Sequence, residues 1–475
     1  LWSRLDSGIQ MEIYDTMEQK KIPAKLEKEV KIYICGLTPY SSFHMGHART
    51  YCAFDSIIRY LEYKKHKVIY VQNITDVDDK LINKSLELKE SVLSISERIM
   101  KEALSQMDEL NIRRADFYPK VSTHIPEIIS TIEKIMENGF AYEVEGNVYF
   151  EVGKFGGYGK LSNKNVEELI AGARVEKDPL KRNPEDFALW KRKKENEPVS
   201  FESPWGEGRP GWHIECSAMS MKYLGETFDI HGGARDLIFP HHENEIAQSE
   251  AANRKEFVRH WMHTGFLTVN GEKMSKSLGN FVTVGEVLAK YNPEVLRLFF
   301  AQTHYRSPVD FSWEELEKSK KALEKIYITI AKIDLGLKLA EENKEELDLK
   351  KYRKEFEKFM EDDFSAPRAI AVLFELISHI NENYSRISKK SLSEAGDLLY
   401  ELWGLFGILI KEKDARKRRG NEIEKLLEKR TEARKDKNFP ESDRIRKELN
   451  ERGIVIIDEK NGSAWYSELK PVKSN

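Results

Sequence analysis

The amino-acid sequence predicts an α/β fold: a doubly wound parallel sheet with an insertion, followed by a helical bundle and a small mixed α/β tail. Three observations predict it. Residues 31–72 read as a β-α-β unit, residues 127–204 carry short strand signals among Gly-rich turns, and from residue 313 strand signals almost vanish.

The first strand is residues 31–35 (KIYIC), a β-branched and aromatic run stopped by Gly36 and Pro39. A helical stripe follows, because Ala48, Tyr51, Cys52, Ile58 and Leu61 recur at three- and four-residue steps or their multiples. Residues 67–72 (KVIYVQ) supply the second strand after a charged loop, at the spacing of a right-handed parallel crossover. In such sheets ligands sit beyond the carboxyl ends of the strands, where Cys35 falls. Within the insertion, residues 146–151 read as a strand, glycines 156, 157 and 159 as turns, and residues 191–197 as a charged loop. The main domain resumes with a strand at 227–230 and a helix at 241–251, leading to a loop at 271–280. Residues 313–409 read as a helical bundle, the charge run 411–419 as a linker or exposed helix end, and residues 423–446 as a helix pair broken near Pro440. A strand at 453–457 closes the pattern.

At 475 residues the chain is about three times the ~150 residues of an ordinary domain, so two to four domains are expected. With 40% hydrophobic and 33% charged residues it is neither disordered nor fibrous. No apolar run reaches the ~18 residues needed to span a bilayer. Three cysteines (Cys35, Cys52, Cys216) exclude a disulfide framework and fit a reducing cytoplasm. The net charge of −3 is uninformative, but residues 411–475 hold 19 Lys and Arg against 14 Asp and Glu, so the tail is the basic end. Residues 1–10 are expected to be an unstructured extension and take no part in the fold reading.

Two short motifs point to nucleotide chemistry. His44-Met-Gly-His47 opens a helix, where free N–H groups and the positive dipole end favour phosphate, and Gly46 allows close approach of a nucleotide. Lys273-Met-Ser-Lys-Ser277 lies between Gly271 and Gly279, so Lys273 and Lys276 can swing in to neutralise a triphosphate under attack. Read separately, the first is also a capped helix start and the second a solvated loop; together they indicate adenylyl transfer. A second constellation is metallic. Cys35, Cys216, and the pair His241 and Glu245, four residues apart on one helix face, offer two thiolates, an imidazole and a carboxylate, which suits zinc. Cys52 lies on the apolar stripe and reads as core.

These segments, with Cys35-Gly-Leu-Thr-Pro-Tyr40, Asn73-Ile-Thr-Asp-Val-Asp-Asp-Lys80, Gly211-Trp-His-Ile-Glu-Cys216, His231-Gly-Gly233 and Phe239-Pro-His-His-Glu-Asn-Glu245, closely resemble the class I cysteinyl-tRNA synthetases from about Met11 to the end. Leu37, Pro39 and Met45 depart from the usual pattern. The resemblance implies a class I Rossmann-like nucleotide-binding core with an inserted connective domain, a helical bundle and a small mixed α/β anticodon-binding domain. The expected boundaries are 11–126 and 205–260 for the two catalytic halves, 127–204 for the insertion, 261–316 for a stem-contact region carrying the lysine loop, 317–409 for the bundle and 410–475 for the anticodon domain.

The resemblance also implies roles. His44, His47, Lys273 and Lys276 act in catalysis, with Gly46 and Lys276 on the nucleotide. One zinc per chain, held by Cys35, Cys216, His241 and Glu245, grips the substrate thiolate. Thr75, Trp212, His231 and Asp236 line the amino-acid pocket, and Arg434, Asp443, Asp458 and Trp465 face the anticodon, Trp465 offering a flat face to an unstacked base. The substrates are L-cysteine, ATP with magnesium, and tRNA(Cys), handled by a cytoplasmic monomer without a membrane. Because thiolate coordination separates cysteine from serine, no hydrolytic editing domain is expected. Two rivals are a ligase that passes cysteine to an amino sugar and an inactive RNA- or zinc-binding paralogue. The full tail argues against the first, and the intact motifs against the second.

Overall fold

The computed structural model describes residues 11–164, 168, 178–275, 278–339, 344–460 and 462–472. The expected extension at 1–10, and Lys276, lie outside the described residues. A hairpin of β1 (Glu12–Asp15) and β2 (Lys20–Pro23) leads to β3 (Glu29–Leu37), α1 (Met45–Tyr63) and β4 (Lys67–Ile74). The helices α2 (Asp79–Leu88), α3 (Val92–Glu109) and α4 (Ile125–Glu137) follow. β3 and β4 pair in parallel, and with β9 (Phe228–Ala234) and β10 (Val258–Thr264) they form a four-stranded parallel sheet in the order β10-β9-β3-β4. This is the doubly wound core that the β-α-β pattern predicts.

The period of two along β3 decides which residues meet which layer. Ile32 and Ile34 join the apolar cluster that contains Ala48, Cys52 and Leu61 of α1. Tyr33 and Cys35 point to the opposite face and join Cys216, Ile246 and Trp261. The register slips between Ile34 and Leu37, and at the slip the Gly36 N–H donates to Asn73 Oδ1 at 2.7 Å. A side chain at Gly36 would meet the Asn73 carbonyl oxygen at 1.6 Å, so only glycine lets β3 and β4 approach here.

The insertion is an antiparallel sheet, β5 (Ala141–Val144), β6 (Asn147–Phe150), β7 (Phe187–Arg192) and β8 (Gly208–Pro210), in chain order. Residues 191 and 192, expected in a charged loop, complete β7 because Lys191 and Arg192 pair with Arg209 and Gly208. From β8 the chain runs into α5 (Ile214–Leu224), and after β9 a wide turn at 238–242 leads into α6 (Glu243–Asn253). Ala218, Met219, Ala247 and Ala251 of these helices pack with Trp190 and Phe150 of the insertion.

After β10 come β11 (Leu267–Val269), β12 (Glu272–Lys273), α7 (Val284–Leu288), α8 (Pro293–Ala301) and β13 (Val309–Phe311). The bundle is α9 (Trp313–Leu339), α10 (Leu349–Glu361), α11 (Ala366–Asn383) and α12 (Lys389–Gly404). The tail is α13 (Ile410–Lys435), α14 (Phe439–Glu451) and a hairpin of β14 (Ile454–Glu459) with β15 (Gly462–Ser467). The charge run 411–419 is therefore the first part of a continuous helix. Its charges pair along and across the helix, as Arg416 does with Glu412 at 2.8 Å and with Asp334.

The tail corrects one expectation. Trp465 is 3% exposed, packed with Ile423, Leu427, Ile445 and Leu449, while its indole N–H donates to Glu424 at 2.9 Å and the Arg416 guanidinium lies 4.3 Å from its ring centre. It is a core residue with a satisfied polar edge, and presents no open face to a base. Asp458 accepts two bonds from the buried Arg430, at 2.7 and 2.8 Å, and pairs with Arg434 at 3.1 Å. Asp443 and Arg434 are exposed.

Candidate active site

A cavity of about 670 Å³ opens beyond the carboxyl ends of β3 and β4. At one end are Cys35 from β3, Cys216 from the first turn of α5, and His241 from the turn before α6, with Glu245 of α6 behind them. The sulfur, nitrogen and oxygen ligand atoms of these four residues all lie within 4.8 Å of one another. The four-residue spacing acts as expected, with His241 Nε2 at 3.1 Å from Glu245 Oε1, although His241 sits in the wide turn and only Glu245 on the regular helix.

A second set, Cys35, His231, His242 and Glu245, meets the same distance limit. Orientation separates the two. Cys35, Cys216 and His241 line the cavity, whereas His231 and His242 are wholly buried beneath it and stack near Trp261. Only the first set keeps an open side toward an incoming ligand, as a reactive metal centre needs, and its two sulfurs, one nitrogen and one carboxylate suit zinc. The residues therefore fit the ion.

The surrounding side chains orient the four. His213 Nδ1 lies 2.9 Å from His241 Nδ1, which leaves His241 Nε2 to face Glu245. His231 Nε2 lies 2.8 Å from Glu245 Oε2. His242 Nε2 lies 3.2 Å from Cys35 Sγ, and its Nδ1 continues to His263 Nε2 at 2.7 Å and from there to Thr16 at 2.8 Å. Burial holds His213 and His242 well below the usual histidine range and brings His263 to about 3, so these rings are neutral at pH 7. Burial also pushes the Cys35 thiol well up, with Cys216 and Glu245 adding to it. For Cys216 burial is outweighed by the hydrogen bonds with Cys35 and His241, which bring it down to about 6.

The other end of the cavity is the start of α1. His44 caps the helix, its Nδ1 accepting from the His47 backbone N–H at 3.4 Å, and the two imidazoles stack with centroids 3.5 Å apart. A side chain at Gly46 would press on the His44 ring at 3.2 Å. Burial, helped by His44 and Lys80, holds His47 well below the usual range. The lysine loop is closed by Asn280, which accepts from the Ser275 N–H at 2.8 Å and donates to the Lys273 carbonyl at 3.2 Å. Lys273 and Met274 reach the cavity wall.

Of the expected amino-acid pocket, Thr75, Trp212 and Asp236 line the cavity, and Trp212 stacks on His241 with centroids 4.5 Å apart. His231 does not. It is completely buried and positions Glu245 from behind, a correction that follows from its place within β9 rather than at the strand's end. Sequence reasoning also passed over His213, His242, His263 and Lys80. His213 and His242 adjoin residues already singled out, and that adjacency was the available signal; His263 had none.

The chain matches the description "tRNA synthetases class I (C) catalytic domain" over residues 21–321, a DALR domain over 355–410 and a "Cysteinyl-tRNA ligase anticodon binding domain" over 420–465. It is 49% identical over 468 residues to a cysteine–tRNA ligase of Thermococcus gammatolerans, covering 95% of this chain and 98% of that one. It is 47% identical over 460 residues to one of Caldicellulosiruptor saccharolyticus, covering 95% and 99%. Among solved structures, methionyl-tRNA synthetase of Mycobacterium tuberculosis with methionyl-adenylate superposes with a TM-score of 0.60 at 15% identity, over 80% of this chain and 90% of that one. A leucyl-tRNA synthetase complex from Agrobacterium radiobacter gives 0.59 at 11% identity, over 81% and 86%. These structural likenesses carry the fold. No described helix is long and apolar enough to cross a membrane.

Proposed function

The chain belongs to the cysteine–tRNA ligases, class I aminoacyl-tRNA synthetases, and from that premise we propose that one cavity holds cysteine at its thiolate and imidazole end and ATP at its histidine end. The enzyme joins cysteine to tRNA in two steps. A carboxylate oxygen of cysteine attacks the α-phosphorus of ATP, the bond from that phosphorus to the bridging oxygen breaks, and pyrophosphate leaves with the electron pair. A ribose hydroxyl at the tRNA terminus then attacks the activated carbonyl, and AMP leaves.

The observation that carries the assignment of sites is the convergence of Cys35, Cys216, His241 and Glu245 on the cavity that His44 and His47 also face. A zinc ion held by those four would supply a soft acceptor for the substrate sulfur, which a serine hydroxyl cannot imitate at neutral pH. An apolar pocket alone separates near-isosteres by only about 10². Trp212, stacked on His241, and Thr75, whose hydroxyl donates to Glu215 at 3.2 Å, border the space for the rest of the amino acid. Because His44 Nδ1 accepts a backbone hydrogen, its own ring hydrogen is on Nε2, a donor for phosphate oxygen. The neutral His47 ring adds a second donor without a charge that would bind ground-state ATP more tightly. Lys273 and Lys276 meet the departing pyrophosphate. Arg434, Asp443 and Asp458 belong to the surface proposed to meet the anticodon. Three unpaired, buried cysteines fit work in the cytoplasm.

Cysteine-dependent exchange of pyrophosphate into ATP, followed by charging of purified tRNA, tests the reading. Exchange that is equal with serine, or a metal content in Cys216→Ser equal to that of the unaltered protein, would overturn the assignment of the thiolate end.

A further inference from the structure

Lys80 stands on the second residue of α2 and its side chain lines the cavity together with His44, His47 and Lys273. A cation at a helix N-terminus faces the positive end of the dipole, an unfavourable place. Among the described residues its ammonium makes no ion pair, although three carboxylates lie within four residues. Asp76 accepts from the Ser122 N–H at 3.0 Å and from its hydroxyl. Asp78 caps the helix by accepting from the Lys80 backbone N–H at 2.8 Å. Asp79 is paired with Lys191 at 2.9 Å and with Arg209. The ammonium lies instead 4.9 Å from the centre of the Tyr40 ring, which also lines the cavity. A ring face holds a cation in place while leaving its full charge available. Lys80 also acts electrostatically on His47, so its charge is felt at the phosphate end.

We propose that Lys80 is a phosphate-binding residue of the adenylation step, its ammonium contacting the phosphates of ATP from α2 while the lysine loop contacts them from β12. This deepens the reading of the cavity above and rests on it. Adenylate formation has to hold a triphosphate and then release pyrophosphate, and cations on two separate elements share that charge as the α–β bond breaks.

Lys80→Met and Lys80→Arg test it, with cysteine-dependent pyrophosphate exchange measured against both substrates and, separately, transfer from preformed adenylate to tRNA. Thermal melting of both variants is expected to match the unaltered protein, since the side chain is exposed. Lys80→Met is expected to lower kcat/KM for ATP by about 10²–10³-fold with KM for cysteine little changed, and Lys80→Arg to restore most of the loss. Exchange in Lys80→Met within about threefold of the unaltered rate would overturn the proposal. So would a loss confined to the transfer step, which would assign the ammonium to a tRNA phosphodiester. The unaltered protein's own cysteine dependence tests the reading of the cavity independently of either variant.

Discussion

Cys35 Sγ lies 3.7 Å from Glu245 Oε1 although 210 positions separate the two in the chain. Cys35 lies two residues before the end of a central strand, Glu245 lies in the first turn of α6, and the two approach because Cys216 of α5 and Ile246 of α6 pack on the face of the sheet that carries Tyr33 and Cys35. The ring nitrogens that flank this pair are then available to tune it.

His213 touches no expected substrate but orients His241 across the 2.9 Å contact between their Nδ1 atoms. His213→Ala is expected to lower zinc affinity by about 10–100-fold, measured by competition with a chelator. Unchanged affinity would mean that His241 is held by its turn alone.

Glu294, on α8, accepts from the Leu409 N–H at 3.0 Å and from the Tyr327 hydroxyl at 2.9 Å, and burial lifts its carboxyl to about 7. The folded chain thus keeps a proton that the unfolded chain loses above about pH 4.3. Stability from this group is complete below that value and is lost as pH rises through 7. Glu294→Gln retains both acceptor contacts. It is expected to gain roughly 1–3 kcal/mol at pH 8 and nothing at pH 4, read by urea denaturation at the two pH values.

His47 shows the opposite sign. Burial keeps it neutral in the folded chain, so its stability is complete above the ordinary value of about 6.5 and declines as pH falls below it. Denaturation between pH 7 and 5 should have a slope shallower by up to about 1.4 kcal/mol per pH unit in His47→Asn. Pyrophosphate exchange in that variant is expected to fall by about 10²-fold or more.

Trp465 fills the tail's small core, so Trp465→Ala is expected to destabilise it by about 3–5 kcal/mol. Trp465→Phe keeps most of the packing and is expected to hold tRNA affinity within about threefold. A large loss of affinity in a stably folded Trp465→Phe would restore a stacking role.

The catalytic sheet was legible because β3 and β4 are bounded apolar runs and α1 has a clean stripe; these are properties of neighbouring residues. Cys35's place was legible too, since strand period and a following glycine put it near the ligand end of a parallel sheet. Trp465 misled for a physical reason: an aromatic after a turn reads the same whether it faces solvent or a helix, and only α13 and α14 closing over it decide. The charge run at 411–419 left two readings open, a linker or an exposed helix end, and the second holds, with Arg416 tied to Asp334 and Trp465 on other elements.

By itself, then, the chain's residue pattern determined the parallel core and the helical bundle, and picked out two short motifs and four candidate metal ligands that the fold brings to one cavity. Tertiary structure alone decided which of two overlapping ligand sets faces the cavity, that His231 supports Glu245 from behind, and that the three carboxylates nearest Lys80 are committed elsewhere. The reason is range. Backbone periodicity and capping act over a few residues, whereas the direction and electrostatic surroundings of a side chain come from whichever distant elements pack against it.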